Sequence, residues 1–471
     1  MAQASDISRI AIQQGVTPFI NFVQFKGSSL SKLASVDFVI TPMPGSASKP
    51  VAAVYAVAAL KMHGHMDLDS TALSLPVFGL YAGYTNHVAI NFQFTDETRK
   101  TVRLDITTAS YVDSNGIYDH LTILKKRQLG SELGFDFFAM KSTLGTPVVV
   151  DSDGELRWVG VGLANSNSTA FQNNAFIVGE QGSATFSRLE LDGTIKQTLL
   201  GSPSYTGFHH NLDPGKFNLL GEMKAGSNIM SVAIEFDDAG AITKEWNFSA
   251  LLSAYMRSQG DDPSNFVRPG IDWFHMNAAT YDPRDDSLIV SSRENFVIKV
   301  DYSTGRIIWI LGDPTKYWYT FPSLRAKALT LLGGGFYPIG QHATSITSDG
   351  LLMLFDDGLG SFYQPNGAPA GESRSYSAVS AYAIDPLTQT ARLVWRFDYG
   401  QRINASVCSS AYESSGKSLL VDFSVADNAT HARLVGLNAD HQVVFDFQYP
   451  TVQCNTSWNA IPVPFEQLHF D

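Results

Sequence analysis

The chain has 471 residues, 44% of them apolar and 17% charged, with a net charge of −12. That length holds two or three domains and a large core. The acidic balance argues against nucleic acid or an anionic membrane surface as the main partner, because phosphate binding needs a basic face, and no run approaches the roughly 18 apolar residues of a membrane span.

The first residues, MAQASDIS, carry neither the basic nor the apolar region of a secretory signal. The expectation is a cytosolic chain, or one whose signal has been removed. The apolar run VAAVYAVAAL, from Val51, follows Pro50 and reads as a core strand. The segments VFGLYAGYTNHVAINFQFTD, from Val77, and TVRLDITTASYVD, from Thr101, alternate with period two. Residues 1–140 are therefore expected to form a small β-sandwich domain. The stretch DHLTILKKRQLGSELGFDFFAM, from Asp119, reads as the link to a second domain over 141–471.

That second part repeats itself. A hairpin pattern of alternating apolar residues around an Asp, Asn or Gly turn, often ending in Trp, occurs as VVVDSDGELRW from Val148 and FSRLELDGTIKQ from Phe186. It returns as VAIEFDDAGAITKEW from Val232, VIKVDYSTGRIIW from Val297, AYAIDPLTQTARLVW from Ala381 and LVGLNADHQVVFDF from Leu434. Between these copies lies a second unit of strand, turn and apolar strand: FHHNLDPGKFNLLGE, FHMNAATYDPRDDSLIVSSR, QHATSITSDGLLMLFDDG and VCSSAYESSGKSLLVDFS. Two hairpins per repeat make a four-stranded antiparallel sheet, and six such sheets arranged radially give an all-β, six-bladed β-propeller. The alternative is a pair of β-sandwiches. Because the first hairpin precedes the first full repeat, the two chain ends are expected to combine in one blade.

The first strand of a blade lines the central channel. Aligning the turns sets His210, Asn277, His342 and Cys408 at equivalent places, with His275 two residues before Asn277 on the same strand face. Arg293, at the end of its hairpin, returns to the same end of the sheet. His209 and His210 are adjacent and are expected to point oppositely, with His210 in the channel. Phe208, Trp273 and Phe274 offer flat walls, although blade packing explains them equally well. The remaining histidines, such as His63, His65, His87, His120, His431, His441 and His469, read as ordinary structural or surface groups. Three imidazoles invite a zinc site, but no carboxylate falls at the equivalent strand positions and a guanidinium repels a cation. The expectation is no metal and no cofactor. Histidine, arginine and asparagine form a donor set suited to sulfate or phosphate. No glycine-rich phosphate loop opens a helix, which argues against a nucleotide.

In GFHHNLDPG, DWFHMNAATYDPRDDSLIVSSR, IIWILGDP and GQHATSI, in this order, the chain resembles the bacterial arylsulfate sulfotransferase family. The likeness is strongest from about residue 200 to 400, and VFGLYAGYTNHVAINF is similar to that family's amino-terminal domain. The resemblance implies a six-bladed propeller with an amino-terminal sandwich, often dimeric and periplasmic. It implies transfer of a sulfuryl group from a phenyl sulfate donor to a phenol acceptor, with no nucleotide donor. It also implies His342 as nucleophile, with His275, Arg293 and either His209 or His210 beside it. Family members carry a disulfide shortly before GQHA, whereas GGGFYPIGQHA has no cysteine. Cys408 and Cys454 could pair or stay free. The rival readings are an arylsulfatase or phosphatase-like hydrolase, and a propeller that only binds.

Overall fold

The computed structural model describes residues 6–471. Its amino-terminal part is built from two sheets. One has three strands, Ser8–Gln14, Ile20–Lys26 and Ala72–Phe78. The other is made of Val51–Ala56, Leu33–Ile40, Thr85–Phe94 and Arg99–Thr107, with the chain's last strand, Leu468–Phe470, running parallel to Val51–Ala56 at its edge. Alternate residues of both sheets enter one core. Phe25 meets Phe92 edge-on at 5.0 Å, and Phe38 meets Phe78 at 5.2 Å. This is the packing that period-two alternation demands of a β-sandwich. The run VAAVYAVAAL differs from expectation: it is a strand only to Ala56, and Val57–Met62 is a helix. A continuous apolar run gives no periodicity with which to separate the two.

Six sheets follow, each of four or five strands and antiparallel throughout but for Thr330–Leu332, which runs parallel to Thr390–Phe397 at one outer edge. Their innermost strands are Ser168–Gln172, Gly207–Pro214, Met276–Asp282, Gln341–Ile346, Ser410–Glu413 and Asn459–Pro462. The fold is a β-propeller, and its ring closes between the chain ends as the repeat pattern suggests. Asn459–Pro462 supplies the inner strand of a sheet whose other strands, Phe137–Lys141, Val148–Asp151 and Leu156–Val159, come from the start of the repeats. The expected link also contributes, since Thr122–Lys125 adds an outer strand beside Val443–Pro450.

Buried contacts join the two parts. Arg157 donates to the Gly79 carbonyl at 2.7 Å and lies 3.7 Å over the Tyr81 ring. Asp153 accepts from Ser46, Ala47 and Ser48, and His65 pairs with Asp192 at 3.1 Å. Trp158 and Phe176 of the propeller belong to the same apolar cluster as the sandwich core. No helix among the described residues is long and apolar enough to cross a membrane.

Candidate active site

The inner strands do not enter the channel as regular strands. His210, His275, Ala343 and Cys408 all have positive φ, between 48° and 60°. The ladder shifts register beside the first three of them, between Phe208 and Leu212, Met276 and Ala278, and His342 and Ser345. A left-handed non-glycine residue costs about 1 kcal/mol or more and persists where its surroundings over-determine it. The consequence is geometric. Each kink re-aims side chains that a regular strand would send to opposite faces.

His342 and His275 are each anchored through Nδ1. His342 Nδ1 lies 2.9 Å from the Gly340 carbonyl and 3.2 Å from Asp357 Oδ1. A carbonyl only accepts, so Nδ1 carries the proton and Nε2 carries the lone pair. His275 Nδ1 lies 2.5 Å from Asp272 Oδ2, which leaves its Nε2 for a ligand. Both aspartates orient imidazoles as a buried carboxylate does in a hydrolase triad.

Arg293 joins the two anchored rings. Its backbone N–H donates to the His275 carbonyl at 3.1 Å, which ties the two ends of the WFH…SSR hairpin together. Its guanidinium is 1% exposed and lies between Asp357, 3.6 Å from Nε, and Glu294, 3.3 Å from Nη1. Asn277 Nδ2 and Ser291 Oγ both donate to the Gln341 carbonyl, at 2.8 and 3.0 Å, and Gln341 Nε2 donates to the Ser292 carbonyl at 2.6 Å. The SSR and GQHA segments are therefore locked to each other. Gly340 permits this approach. It has φ +63°, and a Cβ there would stand 2.7 Å from the Leu359 carbonyl oxygen and 3.4 Å from Arg293 Nη2.

A loop running from Asp357 closes over the guanidinium. Phe362 and Tyr363 donate backbone N–H groups to Glu294, and the Phe362 ring stands 3.8 Å from the Arg293 guanidinium carbon while 51% exposed. Lys316 supports the turn from below, donating to the Arg293 and Glu294 carbonyls. Burial pushes its ammonium down to about 8. Asp313 of the ILGDP segment accepts from the Glu372 N–H at 2.8 Å and so anchors the far end of that loop.

His209 and His210 correct an expectation. They do not point oppositely: their Nδ1 atoms are 3.0 Å apart, because His210 takes the left-handed conformation inside a bulge. The His210 ring lies 4.8 Å from that of His275 and 5.2 Å from Trp458. Glu222, on the next strand, brings Oε2 to 3.6 Å from His209 Nδ1 and 4.0 Å from His210 Nδ1. Burial, with the charge of His275, pushes His209 down to about 3 and His210 well below the usual range. Burial, with the charge of Asp213, raises the Glu222 carboxyl.

Residues 110–459 match the arylsulfotransferase (ASST) family. The chain belongs to that family. It is 30% identical over 206 residues to the arylsulfate sulfotransferase AssT of Escherichia coli O6:H1, across 40% of this chain and 31% of that protein. It is 28% identical over 206 residues to AssT of Lelliottia amnigena, with the same coverage of 40% and 31%. The chain thus spans about a third of the length of these curated relatives. Among solved structures, the Myceliophteria thermophila Cps50 (Swd1) β-propeller domain is similar at a TM-score of 0.36 and 13% identity, covering 75% of this chain and 88% of that one. A europium-containing methanol dehydrogenase follows at 0.33 and 12%, covering 78% and 75%. Scores this low carry no argument.

In this member of the family, the structure brings His209, His210, His275, Asn277, Arg293 and His342 to one region. It turns other expected residues away. Phe208 is fully buried against Phe236 inside a blade, and Trp273 packs on Phe266 and Phe274. Both are core residues and not walls, because the kinks direct only the residues next to them inward. Cys408 is bonded to Cys454, so it offers no thiol to a ligand. The exposed aromatic faces near the site are Phe362 and the half-buried Trp458. Sequence reasoning missed these two and all three carboxylates. The hairpin register held a signal for two of the carboxylates. Glu222 lies opposite the bulge between Phe208 and Leu212, and Asp357 directly follows Asp356, the partner of Gln341.

Proposed function

We propose that this protein moves a sulfuryl group from a phenyl sulfate to a phenol acceptor in two displacements through His342, without a nucleotide donor. One observation carries the reading. A single carboxylate, Asp357, lies 3.2 Å from His342 Nδ1 and 3.6 Å from Arg293 Nε, coupling a ring with a free Nε2 lone pair to a cation beside it. Sulfuryl transfer, like phosphoryl transfer, is mainly positioning and charge stabilisation.

In the first displacement His342 Nε2 attacks sulfur and the bond from sulfur to the phenolic oxygen breaks. The departing phenolate, whose phenol has a pKa of ~10, takes a proton from His275 Nε2. The sulfuryl group stays on His342 with its oxygens toward Arg293. The contacts of that guanidinium are 3.3 Å or longer and can yield to a better acceptor. In the second displacement the acceptor phenol returns a proton to His275 as its oxygen attacks sulfur, and the electron pair of the N–S bond returns to Nε2. Phe362 and Trp458 suit the flat ring. The strands up to Arg99–Thr107, with Leu468–Phe470, serve as the sandwich domain, and the six sheets from Thr122–Lys125 to Asn459–Pro462 as the catalytic propeller. A periplasmic location and a homodimer accompany this reading, and the Cys408–Cys454 disulfide supports an oxidising compartment.

The test uses p-nitrophenyl sulfate with and without phenol. Donor alone should leave one sulfuryl group on the peptide containing His342, and steady-state kinetics with phenol should be ping-pong. His342→Asn should abolish both adduct and transfer. A label on another histidine reassigns the nucleophile. Continuous nitrophenol release without phenol turns the reading to a hydrolase. No adduct with sequential kinetics ends the double displacement.

A further inference from the structure

The candidate active site lies where the inner strands begin. Their other ends meet around a second cavity. Gln172, Pro214, Glu413 and Pro462, the last residues of four inner strands from four blades, line a space of about 400 Å³. Small-molecule sites span about 300–1,000 Å³. Asp213 on its wall comes three residues after His210, about 10 Å further along the same strand. Most of the lining is apolar, from Phe171, Leu212, Leu219 and Ile461, and Phe171 is only half-buried. Two opposite charges face this apolar space. Lys141 is 1% exposed, and its ammonium donates to one acceptor among the described residues, Asn211 Oδ1, at 3.3 Å. An ammonium has three N–H donors, so most of its capacity is unused. Asp213 is half-buried and makes no ion pair with Lys141 among the described residues. Burial lowers the ammonium to about 8 and raises the carboxyl to about 6, so both are charged at neutral pH. Buried charges that are not joined by hydrogen bonds are costly. Tyr412 also lines the cavity. Its hydroxyl accepts from Asn459 at 2.9 Å, and burial raises its pKa, so it keeps its own proton to donate.

We propose that this rear cavity binds a neutral phenol, its ring against Phe171, Leu212, Leu219 and Ile461 and its hydroxyl between Lys141 and Asp213. A hydroxyl is donor and acceptor at once. It accepts from the ammonium and donates to the carboxylate, and so joins two charges that do not reach each other. A charged head group serves only one of them. A carboxylate or sulfate meets Asp213 and Glu413 on the wall, and an organic ammonium meets Lys141 in the depth. Like charges this close are unfavourable in a site with little water. The flat body fits because the half-buried Phe171 ring lines the cavity beside aliphatic side chains. The ligand class follows from these charges and not from the sulfuryl-transfer reading. Where that reading holds as well, molecules of one class occupy both ends of the channel.

The test is calorimetric titration of the full chain with 2-naphthol at neutral pH, with no sulfate donor present. Charged probes of similar body, 2-naphthoate and 2-naphthylmethylamine, are titrated beside it, and melting curves control for folding. Lys141→Met should weaken one equivalent of 2-naphthol by roughly 10-fold or more, the worth of a hydrogen bond to a charged group. Gln172→Trp, which fills the rim of the cavity and removes no buried charge, should abolish the same equivalent. Phe362→Ala, at the front of the channel, should leave it intact. The charged probes should bind there more weakly than 2-naphthol by a similar factor. Because no donor is present, failure of the transfer reading leaves each of these outcomes unchanged. Equal 2-naphthol binding by the wild-type chain, Lys141→Met and Gln172→Trp would overturn the proposal. So would a charged probe that binds the rear cavity more tightly, or a wild-type chain whose only 2-naphthol equivalent is the one weakened by Phe362→Ala.

Discussion

Asp357 and Glu222 are both buried carboxylates set against imidazoles of the inner strands, yet their surroundings differ. Asp357 faces His342 at 3.2 Å and Arg293 at 3.6 Å, so the guanidinium balances its charge while the ring is oriented beside it. Glu222 faces two imidazoles that burial keeps neutral, at 3.6 and 4.0 Å, and burial with the charge of Asp213 raises its carboxyl. Two blades of one repeat thus give the same residue types opposite electrostatics. A charged partner makes the imidazole an oriented base with one free nitrogen. At Glu222 the close pairs are with imidazoles, and burial holds both rings neutral.

Removing the charge at Asp357 breaks this contrast most sharply. Asp357→Asn takes away the group that both orients His342 and balances Arg293. Transfer should fall by roughly 1,000-fold, nearly all in kcat, by analogy with the loss of a triad aspartate. The measurement is steady-state kinetics with p-nitrophenyl sulfate and phenol, beside a trapping assay. The adduct on His342 should still form, only slowly. An Asp357→Asn chain that turns over normally would reduce that carboxylate to a structural counter-ion of Arg293.

Much of this contrast was hidden from sequence for a definite reason. The six hairpins were legible, because period-two alternation and Asp-Gly or Thr-Gly turns are local signals. The inner-strand register was legible for His342 and His275 because imidazoles recur at the same place in the repeat. The left-handed backbone at His210, His275, Ala343 and Cys408 was not, since none of these residues is a glycine and only tertiary context holds them there. That one omission produced the errors at the site. A regular strand sends His209 and His210 to opposite faces and allows Phe208 and Trp273 to be read as walls. The carboxylates reach the site across hairpins or from outside the strands, Asp272 three residues before His275 in a non-strand segment. The Cys408–Cys454 bridge spans 46 residues of chain and leaves no local signature either.

Arg293→Lys sharpens the comparison on the side that is charge-matched. The fold should survive, because a cation remains between Asp357 and Glu294, whereas removing the charge outright would strand two buried carboxylates at a cost of about 3–5 kcal/mol. An ammonium cannot hold two sulfuryl oxygens as a planar guanidinium does. Transfer should drop by roughly 100-fold, with an unchanged melting curve as the control. Equal activity in the two proteins would take Arg293 out of charge stabilisation and leave it as a support for the His275 turn.

Asp272→Asn asks whether the second anchored ring behaves like the first. If His275 only shuttles a proton to the phenolic oxygen, its orienting carboxylate matters in proportion to the basicity of that oxygen. Turnover of an unactivated phenyl sulfate should fall by roughly 10- to 100-fold, and that of p-nitrophenyl sulfate, whose leaving group needs little help, by much less. A uniform loss across donors would mean that Asp272 serves the backbone kink at His275 and not proton transfer.

The smallest effect is expected at Phe362, and it concerns recognition. Its ring lies 3.8 Å from the Arg293 guanidinium carbon and is 51% exposed, so one face packs on the cation and the other remains available to a phenyl group. A cation–π contact of this exposure is worth about 0.5–1 kcal/mol, which sets the scale. Phe362→Ala should raise KM for aryl donors about three- to fivefold and leave kcat within a factor of about two, because the ring is not among the groups that meet charge in transfer. Phe362→Tyr should restore KM. A fall in kcat with KM unchanged would instead make the Phe362 loop a clamp on Arg293, and the aryl ring would then have to be held by Trp458, 5.2 Å from His210.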